Sequence, residues 1–83
     1  MTMEKEENIE WKIDFIDVDR ARIYCDDPEM YSVIRSYLED YGYWMWRVIE
    51  DFEQDLKEDP RLKDTIRIIE KPNGLYTIIK VRK

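Results

Sequence analysis

Carboxylates dominate the side chains of this chain that could do chemistry. The segment DFIDVDRARIYCDDPE, residues 14–29, carries six of them, and residues 50–59 carry six more. Histidine is absent from all 83 residues. Acidic oxygens without imidazole suit a hard cation such as Ca²⁺, which binds about six to eight oxygen ligands in irregular geometry.

Two sets of acids are candidate metal ligands. A helix that returns over the sheet would bring its C-terminal part to the turn Asp17-Val18-Asp19, so we predict low-affinity Ca²⁺ binding by Asp17, Asp19, Asp55, Glu58 and Asp59. A second set is Asp26, Asp27 and Glu29 with Glu70, although a helix start already accounts for the first three. The alternative for the first set is a surface ion-pair network with bases at the same end of the fold, namely Arg20, Arg22, Arg61, Lys63, Lys80, Arg82 and Lys83.

The EF-hand motif is absent from both acidic segments. Its loop needs glycine at the sixth position and glutamate at the twelfth. Counted from Asp17, these positions hold Arg22 and Pro28, and counted from Asp51 the sixth position holds Leu56. A calcium site in this chain would therefore be irregular.

Strands and one helix are predicted to position these acids. Apolar and polar residues alternate from Ile9 to Phe15 and again from Ala21 to Cys25, which indicates a β-hairpin across the turn DVDR. Asp26-Asp27-Pro28-Glu29 is typical of a helix start, with an Asp cap, Pro in the first turn and an acid near the positive helix end.

A long helix is predicted to follow. Apolar residues recur every three or four positions from Met30 to Leu56, and Asp59-Pro60 should end the helix. About 30 helical residues would span about 45 Å, against about 27 Å for an eight-residue strand. We therefore expect a bend or break near Gly42.

A second hairpin completes the predicted fold. Ile66 and Ile68 precede the turn Pro72-Asn73-Gly74, and alternation resumes from Leu75 to Val81. The order ββαββ predicts a single two-layer α+β domain over residues 1–83, an antiparallel four-stranded sheet with the helix on one face. Residues 1–7, MTMEKEE, are predicted to be disordered.

Composition narrows the class of protein. Charged residues make up 41% of the chain, against about 25% in ordinary domains, which favours a thermophilic source. The single Cys25 and the lack of a leader sequence predict a cytoplasmic protein, and no apolar run approaches the about 20 residues that cross a bilayer. Residues 1–60 carry a net charge of −11 and residues 61–83 carry +5, so the two parts should attract each other.

A resemblance to a known group of proteins adds to this interpretation. In its length, acidity, lack of histidine and ββαββ pattern, with the segments IDVD, CDDPE and EDFEQDLKEDP, the chain resembles small, acidic, uncharacterised α+β proteins of methanogenic archaea. That group is associated with calcium binding outside an EF-hand. The resemblance implies an archaeal source and Ca²⁺ as the ligand.

Catalytic chemistry has little support in the residues. Without histidine and with one cysteine, the chain cannot build a four-ligand zinc site or a Cys–His or Ser–His pair. Two glycines do not make a phosphate-binding loop. We therefore expect a protein that is not an enzyme.

Interaction modules are the alternative to a calcium-binding protein. If the helix covers the face with Trp11, Ile13, Phe15, Ile23, Ile66 and Ile79, the other face presents Lys12, Arg22, Tyr24, Arg67, Ile69, Tyr76, Ile78 and Lys80. Such a face could bind a protein partner, form a homodimer or stack single-stranded RNA. The net charge of −6 argues against nucleic acid. Tyr43 and Trp46 near Gly42 project away from the main apolar stripe, where they could contact a partner, and the alternative for Trp46 is that a bend at Gly42 places it in the core.

Overall fold

The computed structural model describes residues 8–82. The elements are β1 (Ile9–Asp17), β2 (Arg20–Tyr24), α1 (Pro28–Asp40), α2 (Met45–Glu58), a 3₁₀ helix (Pro60–Asp64), β3 (Ile66–Glu70) and β4 (Tyr76–Val81). The predicted α+β class with a four-stranded antiparallel sheet is confirmed. The prediction of disorder for residues 1–7 falls outside the described residues. Among residues 8–82, none of the helices has the length and apolar character of a membrane span.

The sheet places the two hairpins side by side in the order β2-β1-β4-β3. Both predicted turns are present. Two residues separate β1 from β2, and Gly74 has the positive φ of +86° that the second turn requires. Side-chain and backbone bonds close this turn, from Leu75 N–H to Asn73 Oδ1 at 3.0 Å and from Lys71 N–H to the Leu75 carbonyl at 2.8 Å.

The helical layer differs from the predicted single helix. α1 ends at Asp40, and its last carbonyls accept hydrogen bonds from Gly42 N–H (to Glu39, 3.0 Å) and Tyr43 N–H (to Leu38, 2.8 Å). Together with the positive φ of Gly42, +64°, these bonds form a Schellman motif, which terminates a helix. The ββαββ order with one long helix is therefore corrected to two α-helices followed by a 3₁₀ helix.

The break reverses the direction of the second helical segment. Met45 is the first residue of α2, so its N–H has no acceptor within the helix. It donates instead to the Val18 carbonyl in the β1–β2 turn at 2.8 Å. Farther along, Tyr37 of α1 packs against Phe52 of α2 with ring centroids 5.8 Å apart. α2 thus begins at the β1–β2 turn and runs back beside α1.

The core lies between the helices and the sheet. Its fully buried side chains come from both layers: Ile13, Phe15, Leu38, Met45, Val48 and Ile78. Each such apolar side chain contributes about 1.5–3 kcal/mol by leaving water. The sequence allowed Trp46 either to contact a partner or to enter the core. Its side chain is 45% exposed and packs edge-on against Tyr76, with ring centroids 5.7 Å apart.

The predicted orientation of β4 is wrong by one residue. Ile78 pairs with Ile13 and is fully buried under the helices, whereas Ile79 pairs with Lys12 on the opposite face. A shift of one residue moves every side chain of a strand to the other face. Tyr76, Ile78 and Lys80 therefore leave the predicted open face, which keeps Lys12, Arg22, Tyr24, Arg67 and Ile69.

Candidate functional site

The five predicted calcium ligands divide between opposite ends of the fold. Asp17 ends β1 and Asp19 lies in the β1–β2 turn, where Val18 contacts the start of α2. Asp17 Oδ1 accepts Val18 N–H at 2.7 Å. Both carboxylates flank the positive end of the α2 dipole, which is a favourable place for an acid.

The other three predicted ligands lie at the far end of α2. Asp55 follows Met45 by ten residues, so about 15 Å of helix separates it from the turn, and Glu58 and Asp59 lie farther still. Asp59 caps the 3₁₀ helix, and its Oδ1 accepts both Arg61 N–H and Arg61 Nε at 3.2 Å. Because the helix runs away from the turn, the five acids do not meet, and residues 8–82 contain no group of three or more potential metal ligands.

The second predicted set has structural roles. Asp27 is the N-cap of α1, its Oδ1 accepts Glu29 N–H at 2.9 Å, and Pro28 opens the helix, as the sequence predicted. Asp26 is exposed before this cap. Glu70 ends β3, which is at the opposite edge of the sheet from β2 with two strands between them.

The open face of the sheet holds a polar cluster at its centre. Asp14 Oδ1 accepts Lys71 Nζ at 2.7 Å and the Thr77 hydroxyl at 2.8 Å, and Lys71 Nζ also donates to the Phe15 carbonyl at 2.8 Å. Burial alone would raise the pKa of Asp14, but these hydrogen bonds, with the charges of Lys71 and Lys12, hold it below its ordinary value. The cluster joins the two hairpins.

Three neighbouring depressions, which share lining residues, lie along β2, and together we call them the β2 groove. At its start it is lined by Ile16, Asp19, Arg20 and Tyr43, in its middle by Ala21–Tyr24 with Tyr31, Arg35 and Tyr43, and at its end by Ile9, Glu10, Cys25 and Asp26. The middle section has a volume of about 490 Å³. β2 is an edge strand, so one side of its backbone faces this groove rather than another strand of the described sheet.

Arginines and tyrosines give the β2 groove its chemistry. Arg20 and Arg22 are exposed and form no ion pair within residues 8–82, and Arg35 is held only by an exposed pair with Glu39 at 3.2 Å. Such exposed pairs are worth at most about 1 kcal/mol. Backbone amides and carbonyls, guanidinium groups and aromatic rings therefore lie along one line.

Tyr43 holds an uncommon backbone conformation in this groove. Its φ is +55°, the left-handed region that a non-glycine residue adopts at a cost of about 1–2 kcal/mol. Tyr43 lines both the first and the middle sections of the β2 groove and also packs against the core. Strain of this kind is concentrated at functional positions.

The sequence predicted some of these residues and missed others. Arg22 and Tyr24 were assigned to an exposed face, and Tyr43 was seen to leave the apolar stripe. Tyr31 and Arg35 were missed, although their spacing of four residues places them on one side of α1, outside the Met30, Ile34 and Leu38 stripe. Their approach to β2 depends on how α1 packs, which spacing alone does not define.

The chain was compared with protein-family models, with curated proteins and with solved structures, and none of the three comparisons gave a match.

Proposed function

We propose that this chain is a non-catalytic interaction module that binds an extended, acidic segment of a partner protein by adding it as a fifth strand beside β2. The β2 groove carries this proposal, because an edge strand with an adjacent depression is the geometry of β-strand addition. Main-chain hydrogen bonds would supply affinity, and the neighbouring side chains would supply selectivity.

Charge selects the partner. Arg20, Arg22 and Arg35 lie beside the first and middle sections of the groove, in a chain whose net charge is −6. Alternate residues of an added strand face the same side, so acids at alternate positions would meet Arg20 and Arg22 on the open face, and a residue between them would face Arg35 on the α1 side. Tyr31 and Tyr43 provide apolar surface for the residues between them.

A second copy of the chain is a poor occupant of the same edge. Antiparallel pairing of two β2 strands would bring the arginines of one copy opposite those of the other, and like charges directly opposite destabilise a sheet. The RNA alternative is also weaker than the sequence indicated, because Tyr76 packs on the helix side against Trp46.

Hydrogen exchange measured by NMR tests the proposal. The full chain is titrated with a capped peptide of alternating valine and glutamate, and a matched peptide carries lysine at every glutamate position. We expect the glutamate peptide to slow exchange at outward-facing amides of Arg20–Tyr24 and the effect to weaken with added salt. Equal binding of the lysine peptide, or protection elsewhere with none at β2, would overturn the proposal.

A pair of charge reversals localises the effect. Arg22→Glu should abolish protection by the glutamate peptide, whereas Lys57→Glu makes the same change in charge on exposed α2 surface outside the groove and should leave it intact. Loss of binding in both variants would indicate a long-range charge effect rather than a site.

A further inference from the structure

A second cavity lies on the helix side of the molecule, between α1 and α2. β1 forms its floor through Trp11 and Ile13, α1 contributes Met30, Val33, Ile34 and Tyr37, and α2 contributes Asp51, Phe52 and Asp55. Its volume is about 200 Å³, below the about 300–1,000 Å³ of sites for drug-sized ligands. The cavity therefore suits one small headgroup or one side chain.

Three aromatic rings line this cavity. The rings of Trp11 and Phe52 are tilted by 57° with centroids 6.2 Å apart, and Tyr37 meets Phe52 edge-on at 5.8 Å. The three aromatic residues contact one another and all line the cavity, and the face of an aromatic ring attracts cations.

Two carboxylates complete the lining. Asp51 is fixed by the Tyr37 hydroxyl, which donates to its Oδ2 at 2.7 Å, and Asp55 lies one helical turn farther along. Within residues 8–82 no lysine or arginine forms an ion pair with either carboxylate. Desolvation and the charges of Asp51 and Glu58 raise the pKa of Asp55, so this carboxylate is held beside like charge without a cation.

We propose that the cavity binds a methylated ammonium group on an apolar stem, with the aromatic walls supplying cation–π contact and the two carboxylates supplying counter-charge. A primary ammonium is strongly hydrated and needs several acceptors when it is desolvated. A methylated one presents an apolar shell that matches the rings and aliphatic side chains of the walls. The group could belong to a free quaternary amine or to a methylated lysine of a protein, and the chemistry is the same.

Choline and its neutral isostere, in which a tert-butyl group replaces the trimethylammonium, form the decisive pair of probes. We expect choline to shift the NMR signals of residues that line the cavity, the Trp11 indole among them, and the isostere to bind about tenfold more weakly. Equal affinity of the two probes, or no choline shifts at these residues, would overturn the proposal.

Two variants on α2 separate local from long-range charge. Asp55→Asn should weaken choline binding several-fold, whereas Glu53→Gln removes the same charge from the exposed side of the helix and should not change it. Phe52→Leu keeps an apolar wall but loses the ring, and should weaken choline more than the isostere. Thermal unfolding of each variant confirms that it is folded, and equal weakening by Asp55→Asn and Glu53→Gln would contradict the site.

Peptides distinguish the source of the group. A trimethyl-lysine peptide that binds more tightly than choline indicates a protein ligand, and one that binds no better indicates a free amine. An unmodified lysine peptide should bind more weakly than the trimethylated one, and the reverse order would contradict recognition of methyl groups. None of these probes carries the alternating acids expected at β2, so failure here leaves the function proposed for the β2 groove standing.

Discussion

Asp14 is the side chain that joins the two hairpins on the open face of the sheet. It lies on β1, and its bonding partners come from β4 and from the turn before it, 57 and 63 residues along the chain. The ion pair is partly buried, with side-chain exposures of 26% for Lys71 and 24% for Asp14, so water screens it less than a surface pair. One carboxylate thus bonds two side chains that are far away in the sequence, across the paired strands β1 and β4.

Asp14→Asn should lower the free energy of unfolding by about 1–2 kcal/mol at neutral pH, because hydrogen bonds to a charged group are lost. The pKa of Asp14 is lowered in the folded state, so its contribution is present above the ordinary value of 3.8 and is lost as pH falls through the lowered folded value. Urea unfolding as a function of pH measures both effects. Asp40→Asn, on exposed helix surface, is the control, and an unchanged acid dependence in Asp14→Asn would contradict this role.

Tyr37 should make the fold sensitive to alkali. Burial, followed by the hydrogen bond to Asp51, raises the pKa of Tyr37, so the folded state favours the neutral phenol. Its stabilisation is present below about pH 10, where unfolded tyrosine ionises, and is lost as pH rises toward the folded value. We expect Tyr37→Phe to lose about 1 kcal/mol at neutral pH and to unfold with a shallower alkaline dependence. Unfolding followed by circular dichroism at several alkaline pH values measures the effect, with Tyr31→Phe as the exposed control. If the stability of the Tyr37→Phe variant fell with pH as steeply as that of the unchanged protein, Tyr37 would not cause the alkaline sensitivity.

At the scale of elements, local signals predicted local structure. The Asp27 cap, the end of the helix before Pro60 and the turn at Gly74 depend on a few adjacent residues, and all three are present. The mismatch in length correctly placed a break near Gly42, but the start of α2 was harder to predict, because the apolar spacing continues from Leu38 through Tyr41 to Met45. The start of α2 at Met45 is marked in the structure by a long-range hydrogen bond, in which Met45 N–H donates to the Val18 carbonyl.

The register of β4 could not be read from its residues. Ile78 and Ile79 are adjacent, so alternation allows either to face the core, and the interpretation with Ile79 inside places Thr77 on the covered face as well. Pairing with β1 determines which residues of β4 face the core. Thr77 lies opposite Asp14 on the open face, and Ile78 lies opposite Ile13 on the face that the helices cover. The expected approach of Asp55, Glu58 and Asp59 to the β1–β2 turn had the same limit. It depended on the direction of α2, which the break at Gly42 reverses.

Gly42 should tolerate a side chain of only one handedness. No atom lies within 4 Å of a Cβ added there, so Gly42→Ala introduces backbone strain alone and should cost about 1–2 kcal/mol. A chemically synthesised chain with D-alanine at this position adopts positive φ readily and should be as stable as the natural chain or more so. Thermal unfolding compares the two, and equal destabilisation by both enantiomers would refute the backbone explanation.

At the scale of the whole molecule, the arginines of β2 have a second effect. Exposed edge strands invite pairing with other chains, and charged side chains suppress it. Replacing Arg20 and Arg22 together by threonine, a residue that favours strands, should make the protein self-associate as its concentration rises. Analytical ultracentrifugation measures this, and the exposed pair Arg47 and Lys57 on α2, changed in the same way, is the control. A double variant at β2 that stays monomeric would show that the edge is blocked by something other than charge.

The central pair of the sheet determines when folding can finish on the ribosome. β1 pairs with β4, with Ile9 opposite Val81 and Arg82 N–H bonded to the Asn8 carbonyl at 2.8 Å, although nearly the whole described chain separates them. A nascent chain therefore emerges with β1 lacking its inner neighbour until the last strand has left the exit tunnel. Contacts this distant in sequence also slow folding. The protein therefore cannot bury its core until β4 has left the ribosome.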